Sequence, residues 1–178
     1  LEAFTKVEIL KNNHPTPIVK RTEEILLNYP NETEQGPLTP LLLFSMMSIL
    51  IIGFTYRDFK NKTRSNVLDI LLFSITGFIG IILLLLWFAT DHSATANNFN
   101  ILWAFAPNLV FAFLLNRYKK MSSAYVFTLL ILLDIMVLLW IFKIQVFHYS
   151  LIPFTIGLYA RYIYLWFYFR KLARNKKR

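Results

Sequence analysis

The stretch from Val67 to Asn100 constrains this chain more than any other. Its first part, Val67–Ala89, carries a single charge, Asp69, close to its start. As an α-helix rising about 1.5 Å per residue it would extend roughly 34 Å, enough to cross a hydrocarbon core of about 30 Å. Trp87 and Phe88 end it with an aromatic pair typical of a membrane interface. The sequence therefore predicts a transmembrane helix followed by a polar loop at one membrane face.

The composition supports a membrane protein. Hydrophobic residues make up 56% of the chain and charged residues only 16%, whereas soluble domains carry about 25% charged residues. The net charge of +9 could indicate nucleic acid, but most basic residues stand in short clusters beside apolar runs, where membrane topology needs them. We therefore expect no nucleic-acid partner. The absence of cysteine excludes a disulfide, a thiolate zinc site and a cysteine nucleophile within these residues.

Residues 1–39 differ from the rest of the chain because they are polar and broken by prolines. Partial alternation around Phe4–Ile9 and Ile18–Leu27 favours short strands. We interpret residues 1–39 as an extracytoplasmic segment, the end of an exported domain that lies upstream; a linker, or a chain that begins directly after a cleaved signal, is the alternative. Residues 40–169 are predicted as the transmembrane domain and residues 170–178 as a basic cytoplasmic tail.

An all-α, polytopic helix bundle with five transmembrane helices is the predicted fold. The third apolar span is short and contains Pro107, so we expect a kink or a tilted, partly interfacial entry. In the second span, small residues around Gly77 and Gly80 favour close helix packing. The five predicted spans are Leu38–Tyr56, Val67–Ala89, Ile101–Asn116, Ser123–Phe142 and Ser150–Phe169.

Basic residues predict the orientation of the bundle. Segments 57–66, 117–122 and 170–178 together hold thirteen lysines and arginines, whereas segments 90–100 and 143–149 hold only Lys143. Because basic residues concentrate on the cytoplasmic side, the amino terminus should lie outside and the carboxyl terminus inside. For a bacterial inner membrane, the amino-terminal segment would then be periplasmic.

Polar residues in the loop after the second span are candidates for function. Asp91 and His92 could act as an acid/base pair or bind a lipid head group, because a carboxylate can orient an imidazole. The alternative is that Asp, Asn and Ser only cap helices and form turns there. The candidate residues for lipid or substrate positioning are Asp91, His92, Asn97, Asn98 and Asn100.

Asp134 and Arg161 are charges inside the fourth and fifth spans. A charge near the bilayer centre costs about 3 kcal/mol or more unless it has a partner. Counted from opposite membrane faces the two residues lie at similar depth, so antiparallel neighbours could pair them. The alternative is that Arg161 receives an anionic lipid phosphate or a docked partner. Asp69 is interpreted as a helix cap.

Known catalytic motifs are absent from the sequence. It contains no P-loop, dinucleotide fingerprint, HExxH or GxSxG pattern. His14, His92 and His148 lack the spacing of metal ligands, so neither a metal nor a cofactor is predicted.

The second span and its loop resemble the membrane half of a bacterial family that includes the Lnb-type lipoprotein N-acyltransferases. Members have an exported N-terminal domain, formerly of unknown function, followed by membrane helices. The residues that carry the resemblance are Asp69-Ile70-Leu71-Leu72-Phe73, Gly77-Phe78-Ile79-Gly80, Trp87-Phe88-Ala89-Thr90-Asp91-His92, Asn97-Asn98-Phe99-Asn100 and Leu102-Trp103.

The resemblance implies a reaction at the outer face of the inner membrane, in which an acyl chain moves to the α-amino group of a lipoprotein's N-terminal cysteine. The catalytic cysteine and its histidine base are then expected in the exported domain, and this chain would anchor that domain and gather phospholipid and lipoprotein substrates. The alternative is a non-catalytic membrane anchor or subunit of a cell-envelope assembly, with Arg161 and the aromatic fifth helix as its docking surface.

Overall fold

The computed structural model describes residues 8–11, 14–17, 39–89, 97–115, 117 and 119–175. The chain divides into two compact units, Leu1–Pro37 and Leu38–Arg178. In the first unit, strands β1 (Glu8–Lys11) and β2 (His14–Pro17) pair antiparallel. β1 overlaps the end of the first predicted strand, and the second predicted strand, Ile18–Leu27, lies outside the described residues.

The second unit is helical. Its described residues form five α-helices and one 3-10 turn, Phe99–Leu102. The predicted all-α, polytopic bundle is confirmed. The helices are α1 (Pro40–Asn61), α2 (Asn66–Phe88), α3 (Asn108–Leu114), α4 (Lys119–Ile141) and α5 (Leu151–Asn175).

Three of these helices are long and apolar enough to cross a membrane: α1, α2 and the Lys120–Ile141 part of α4. α5 has 25 residues, but its tyrosines and Arg161 lower its hydropathy. The outward faces of the helices are covered with large apolar side chains, such as Ile49, Phe78 and Leu138. A surface of this kind is expected to face lipid.

The ends of α1 follow from its capping residues. The Thr39 hydroxyl accepts a hydrogen bond from the Leu42 amide at 3.2 Å. Pro40 occupies the first turn, where an amide hydrogen has no helical partner. At the other end Lys62 adopts a left-handed conformation, with φ of 54°, and closes the helix. The chain then turns directly into α2.

α5 lies at the centre of the bundle, between α1 and α4. Along α1 the contacts advance together, from Phe44 with Phe154 to the Asp58 carbonyl with the Tyr164 hydroxyl, so α1 and α5 run parallel. Along α4 the order reverses: Phe127 contacts Trp166, whereas Asp134 contacts Tyr159 two turns earlier in α5. The basic ends of α1 and α5 therefore lie on the same side of the bundle.

The third apolar segment is not a continuous helix. After the 3-10 turn, residues 103–107 are irregular, and α3 has only seven residues. Pro107 stands directly before α3, so the expected interruption occurs at this proline. A Cβ added to Gly77 would overlap the backbone nitrogen of Leu109, and one added to Gly80 would overlap the backbone oxygen of Ala104. The irregular segment can thus approach α2 only because these two positions are glycine.

Candidate functional site

Arg161 is fully buried on α5 and binds two carboxylates from other helices. Its Nε donates to Asp69 Oδ1 at 2.7 Å, and its Nη1 donates to Asp58 Oδ2 at 2.8 Å. Asp58 lies in the last turn of α1 and Asp69 in the first turn of α2, and neither is exposed. One guanidinium group therefore joins three helices at the connection between α1 and α2.

The remaining carboxylate oxygens of this ion cluster are also occupied. Arg64 Nε donates to Asp69 Oδ2 at 2.5 Å. Asp58 Oδ1 accepts from the Ser65 hydroxyl at 2.6 Å, and Asp58 Oδ2 accepts from the Ser65 amide at 2.7 Å. Two carboxylates thus face two buried guanidinium groups, and every carboxylate oxygen has a donor. Complete pairing of this kind is what makes buried charges tolerable.

Tyr164 and Phe169 extend the ion cluster along α5. The Tyr164 hydroxyl donates to the backbone oxygens of Asp58 and Thr63, and so binds the α1–α2 connection directly. The Arg64 guanidinium lies 4.8 Å from the centre of the Phe169 ring. These contacts fix the connection in place. The ion cluster is therefore a structural feature, with its carboxylates bound entirely by groups of the chain itself.

The prediction that Asp134 pairs with Arg161 is wrong. Asp134 is exposed and accepts a hydrogen bond from the Tyr159 hydroxyl at 2.6 Å. Asp134 and Arg161 do lie at similar depth, because Tyr159, which binds Asp134, is two residues from Arg161. However, a step of two residues rotates a side chain by about 200° around the helix axis, so Tyr159 and Arg161 face nearly opposite sides of α5. Arg161 therefore faces α1 and α2 instead. Its complete burial also leaves no access for the alternative, a lipid phosphate or a docked partner.

Asp58 was missed by sequence reasoning, and Asp69 was assigned only a capping role. The hydropathy pattern placed Asp58 in a basic loop outside the membrane, although α1 continues through it. A usable signal was present: Asp58 and Asp69 are the only acidic residues between positions 40 and 89, and an arginine inside an apolar span needs a carboxylate.

A second polar group joins α2, α3 and α4, and the sequence did not indicate it. The side chain of Asn108 is fully buried. Its Nδ2 donates to Thr76 Oγ1 at 2.9 Å, and its Oδ1 accepts from the Tyr125 hydroxyl at 2.5 Å. Hydrogen bonds between helices of this kind hold membrane bundles together.

The predicted outer site is described only in part. Asp91 and His92 lie outside the described residues. Asn98 Oδ1 accepts from the amide and the side chain of Asn100, at 3.1 and 2.8 Å, and Asn100 Oδ1 accepts from Trp103 Nε1 at 2.9 Å. The structure therefore brings Asn98 and Asn100 together in one turn, which these bonds shape. Asn97 is exposed beside them, with φ of 57°.

This turn, at the predicted outer site, is hydrogen-bonded to the connection between α4 and α5. The Phe99 amide donates to Gln145 Oε1 at 2.9 Å, and Trp103 packs edge-on against Phe154 of α5 at 5.5 Å. The turn therefore lies at the end of the bundle opposite the ion cluster. Within the described residues, no group of three carboxylate or imidazole side chains could hold a metal ion.

Residues 32–172 match a family model described as the Lnb transmembrane domain. The chain belongs to this family. The match includes α1 to α4 and most of α5, so the resemblance based on the second span and its loop is confirmed. Together with the apolar helices, this match identifies the chain as part of a multi-pass membrane protein. No curated protein and no solved structure matches the chain.

Proposed function

We propose that this Lnb transmembrane domain is the membrane part of a lipoprotein-modifying acyltransferase. In this proposal it anchors an exported catalytic domain and positions phospholipid and lipoprotein substrates for N-acylation of the lipoprotein's N-terminal cysteine. The observation that carries the proposal is the family match over residues 32–172. Since the chain contains no cysteine, a cysteine nucleophile would belong to a part of the protein outside these residues.

The positioning role is proposed for the loop and turn at 90–100. The segment follows the aromatic end of α2, where Trp87 and Phe88 stack with ring centres 5.3 Å apart. Aromatic side chains of this kind favour the head-group region. We place this side at the periplasm, because the basic ends of α1 and α5 lie at the other side. The ester groups of lipids and the N-terminus of a lipoprotein would then lie at the same depth in the membrane as this loop.

The test measures acyl transfer by the full-length protein. His92→Ala and Asn100→Ala should each lower conversion of a diacylated lipopeptide to the triacylated form by about tenfold, the scale of about 1.4 kcal/mol of lost positioning. Mass spectrometry of the lipopeptide gives the conversion. An imidazole can donate or transfer a proton and an amide can bind ester oxygens, so both residue types suit a positioning role. Membrane insertion should remain normal in both variants. Asn100→Ala also removes the acceptor of the Trp103 indole, which should lower stability by about 0.5–1.5 kcal/mol without unfolding the bundle.

Two variants serve as controls. Ser93→Ala changes the same loop, and Asn66→Ala removes an exposed amide at the opposite end of α2; both should convert lipopeptide normally. Normal conversion by His92→Ala and Asn100→Ala would mean that the polar residues of the loop only cap helices and form turns. A full-length wild-type protein that transfers no acyl chain would favour a non-catalytic anchor or subunit of an envelope assembly.

A further inference from the structure

A groove of about 1000 Å³ lies between α1 and α5, on the side of the bundle where both helices have their basic ends. Its walls are apolar and aromatic over most of their length. They are formed by side chains from both helices, including Ile52, Tyr56, Phe59, Ile163, Phe167 and Tyr168. Since the flanking surface of the helices is itself apolar, the groove opens toward the space that lipid occupies.

Three lysines stand along this groove: Lys60 and Lys62 from the end of α1, and Lys171 from α5. All three are exposed. Among the described residues, no carboxylate lies within ion-pair distance of them. The nearest acidic residue in sequence, Asp58, is already bound by Arg161 and Ser65. The groove therefore combines apolar walls with an uncompensated charge of +3.

We infer that this groove binds an anionic phospholipid, with its head group on the three lysines and its acyl chains against α1 and α5. A basic pocket between membrane helices at the cytoplasmic side is the type of site that receives acidic lipid head groups. A lipid in this position bridges the two helices that Arg161 also joins. The inference is independent of acyl transfer, because the site lies at the opposite end of the bundle from the outer turn.

A second groove provides a matched comparison. It lies between α4 and α5 and also carries three basic side chains, Lys120, Arg170 and Arg174. It is smaller, at about 440 Å³, and its Arg170 guanidinium lies 5.2 Å from the centre of the Trp166 ring. Replacing these three residues changes the net charge by the same amount, on the same side of the bundle, and none of the three lines the α1–α5 groove.

The experiment is native mass spectrometry of the full chain in detergent, titrated with phosphatidylglycerol or with zwitterionic phosphatidylcholine. The wild type should bind one phosphatidylglycerol at least tenfold more tightly than phosphatidylcholine. The variant Lys60→Gln/Lys62→Gln/Lys171→Gln should lose this preference, and Lys60→Arg/Lys62→Arg/Lys171→Arg should retain it. Glycerol phosphate, the head group without acyl chains, should not compete at equal concentration, because it cannot use the apolar walls.

The control variant Lys120→Gln/Arg170→Gln/Arg174→Gln should bind phosphatidylglycerol like the wild type. An equal loss of binding in both glutamine variants would overturn the inference, since it would mean that only overall surface charge attracts the lipid. Equal binding of both lipids by the wild type would also overturn it. If the glutamine variant at the groove does not fold, Lys171→Gln alone decides: it should weaken phosphatidylglycerol binding several-fold, and unchanged binding would contradict the site.

Discussion

The two connections that flank α2 are held in different ways. The connection from α1, residues 62–65, is fixed by charge: Arg161, almost a hundred positions later in the chain, binds the carboxylates on both sides of it. After α2, the described residues from 97 onward are fixed by shape and by short-range hydrogen bonds of amide side chains. Their backbone packs onto Gly77 and Gly80, and Asn98, Asn100 and Trp103 form a hydrogen-bonded turn.

This difference indicates which changes each connection should tolerate. The first depends on a complete set of donors and acceptors, so removing one member leaves a buried charge without its partner. The second depends on space, so adding a single carbon atom is the damaging change, while the loss of one surface hydrogen bond costs little. Three substitutions measure the contrast.

The largest effect is expected from Arg161→Gln. It leaves Asp58 and Asp69 buried without their shared guanidinium, and the loss of one partner of a buried ion pair costs about 3–5 kcal/mol. Thermal unfolding of the purified chain in detergent, followed by circular dichroism, should show a large drop in midpoint. The control is Arg174→Gln, an exposed arginine on the same helix, which should change stability by less than about 0.5 kcal/mol. Equal midpoints for both variants would contradict a structural role for the cluster.

An intermediate effect is expected from Gly77→Ala. The new Cβ would force the Leu109 backbone away from α2, and overpacking of this kind costs about 1–3 kcal/mol. The control is Gly53→Ala in α1, where no atom lies within 4 Å of the added Cβ. That change should be neutral or slightly stabilising, because alanine favours the helix. The same unfolding assay compares them; a stable Gly77→Ala variant would show that the third segment does not pack this closely.

The smallest effect is expected from Asn98→Ala. It removes the acceptor for both Asn100 hydrogen bonds at a partly exposed site, which should cost about 0.5–1.5 kcal/mol. Hydrogen exchange at the Asn100 amide should become faster. Asn97→Gly, which deletes the neighbouring side chain but suits the positive φ, should leave that exchange rate unchanged. If both variants exchange alike, the turn is held by something other than the Asn98 side chain.

The first and last residues of a helix could be predicted closely from the sequence where the helix ends with its apolar span. The second span was expected at Val67–Ala89 and lies at Asn66–Phe88. α1 and α5 continue five and six residues beyond their predicted ends at Tyr56 and Phe169, because hydropathy reports the edge of the apolar region and a helix can run past it into charged residues. Their end points depend on caps and tertiary contacts.

The partners of the buried charges could not be predicted in the same way. Counting residues places Arg161 near the level of Asp134, but the side of the helix that it faces is decided by how α1, α2 and α4 are arranged around α5. Likewise, nothing in the sequence around Pro107 indicates a buried role for Asn108. Its hydrogen bond to Thr76 forms only because the third segment lies close to α2. The candidate residues Asp91 and His92 stay predictions.

The interrupted third segment has a consequence for biogenesis. α3, with seven residues, spans about 10 Å, a third of a hydrocarbon core, and the irregular backbone at 103–107 cannot face lipid on its own. It becomes compatible with the bilayer only against the glycine face of α2. Because α2 is synthesised first, the segment would enter the membrane as the second arm of a hairpin with α2, and α4 would close over it only after that hairpin has formed.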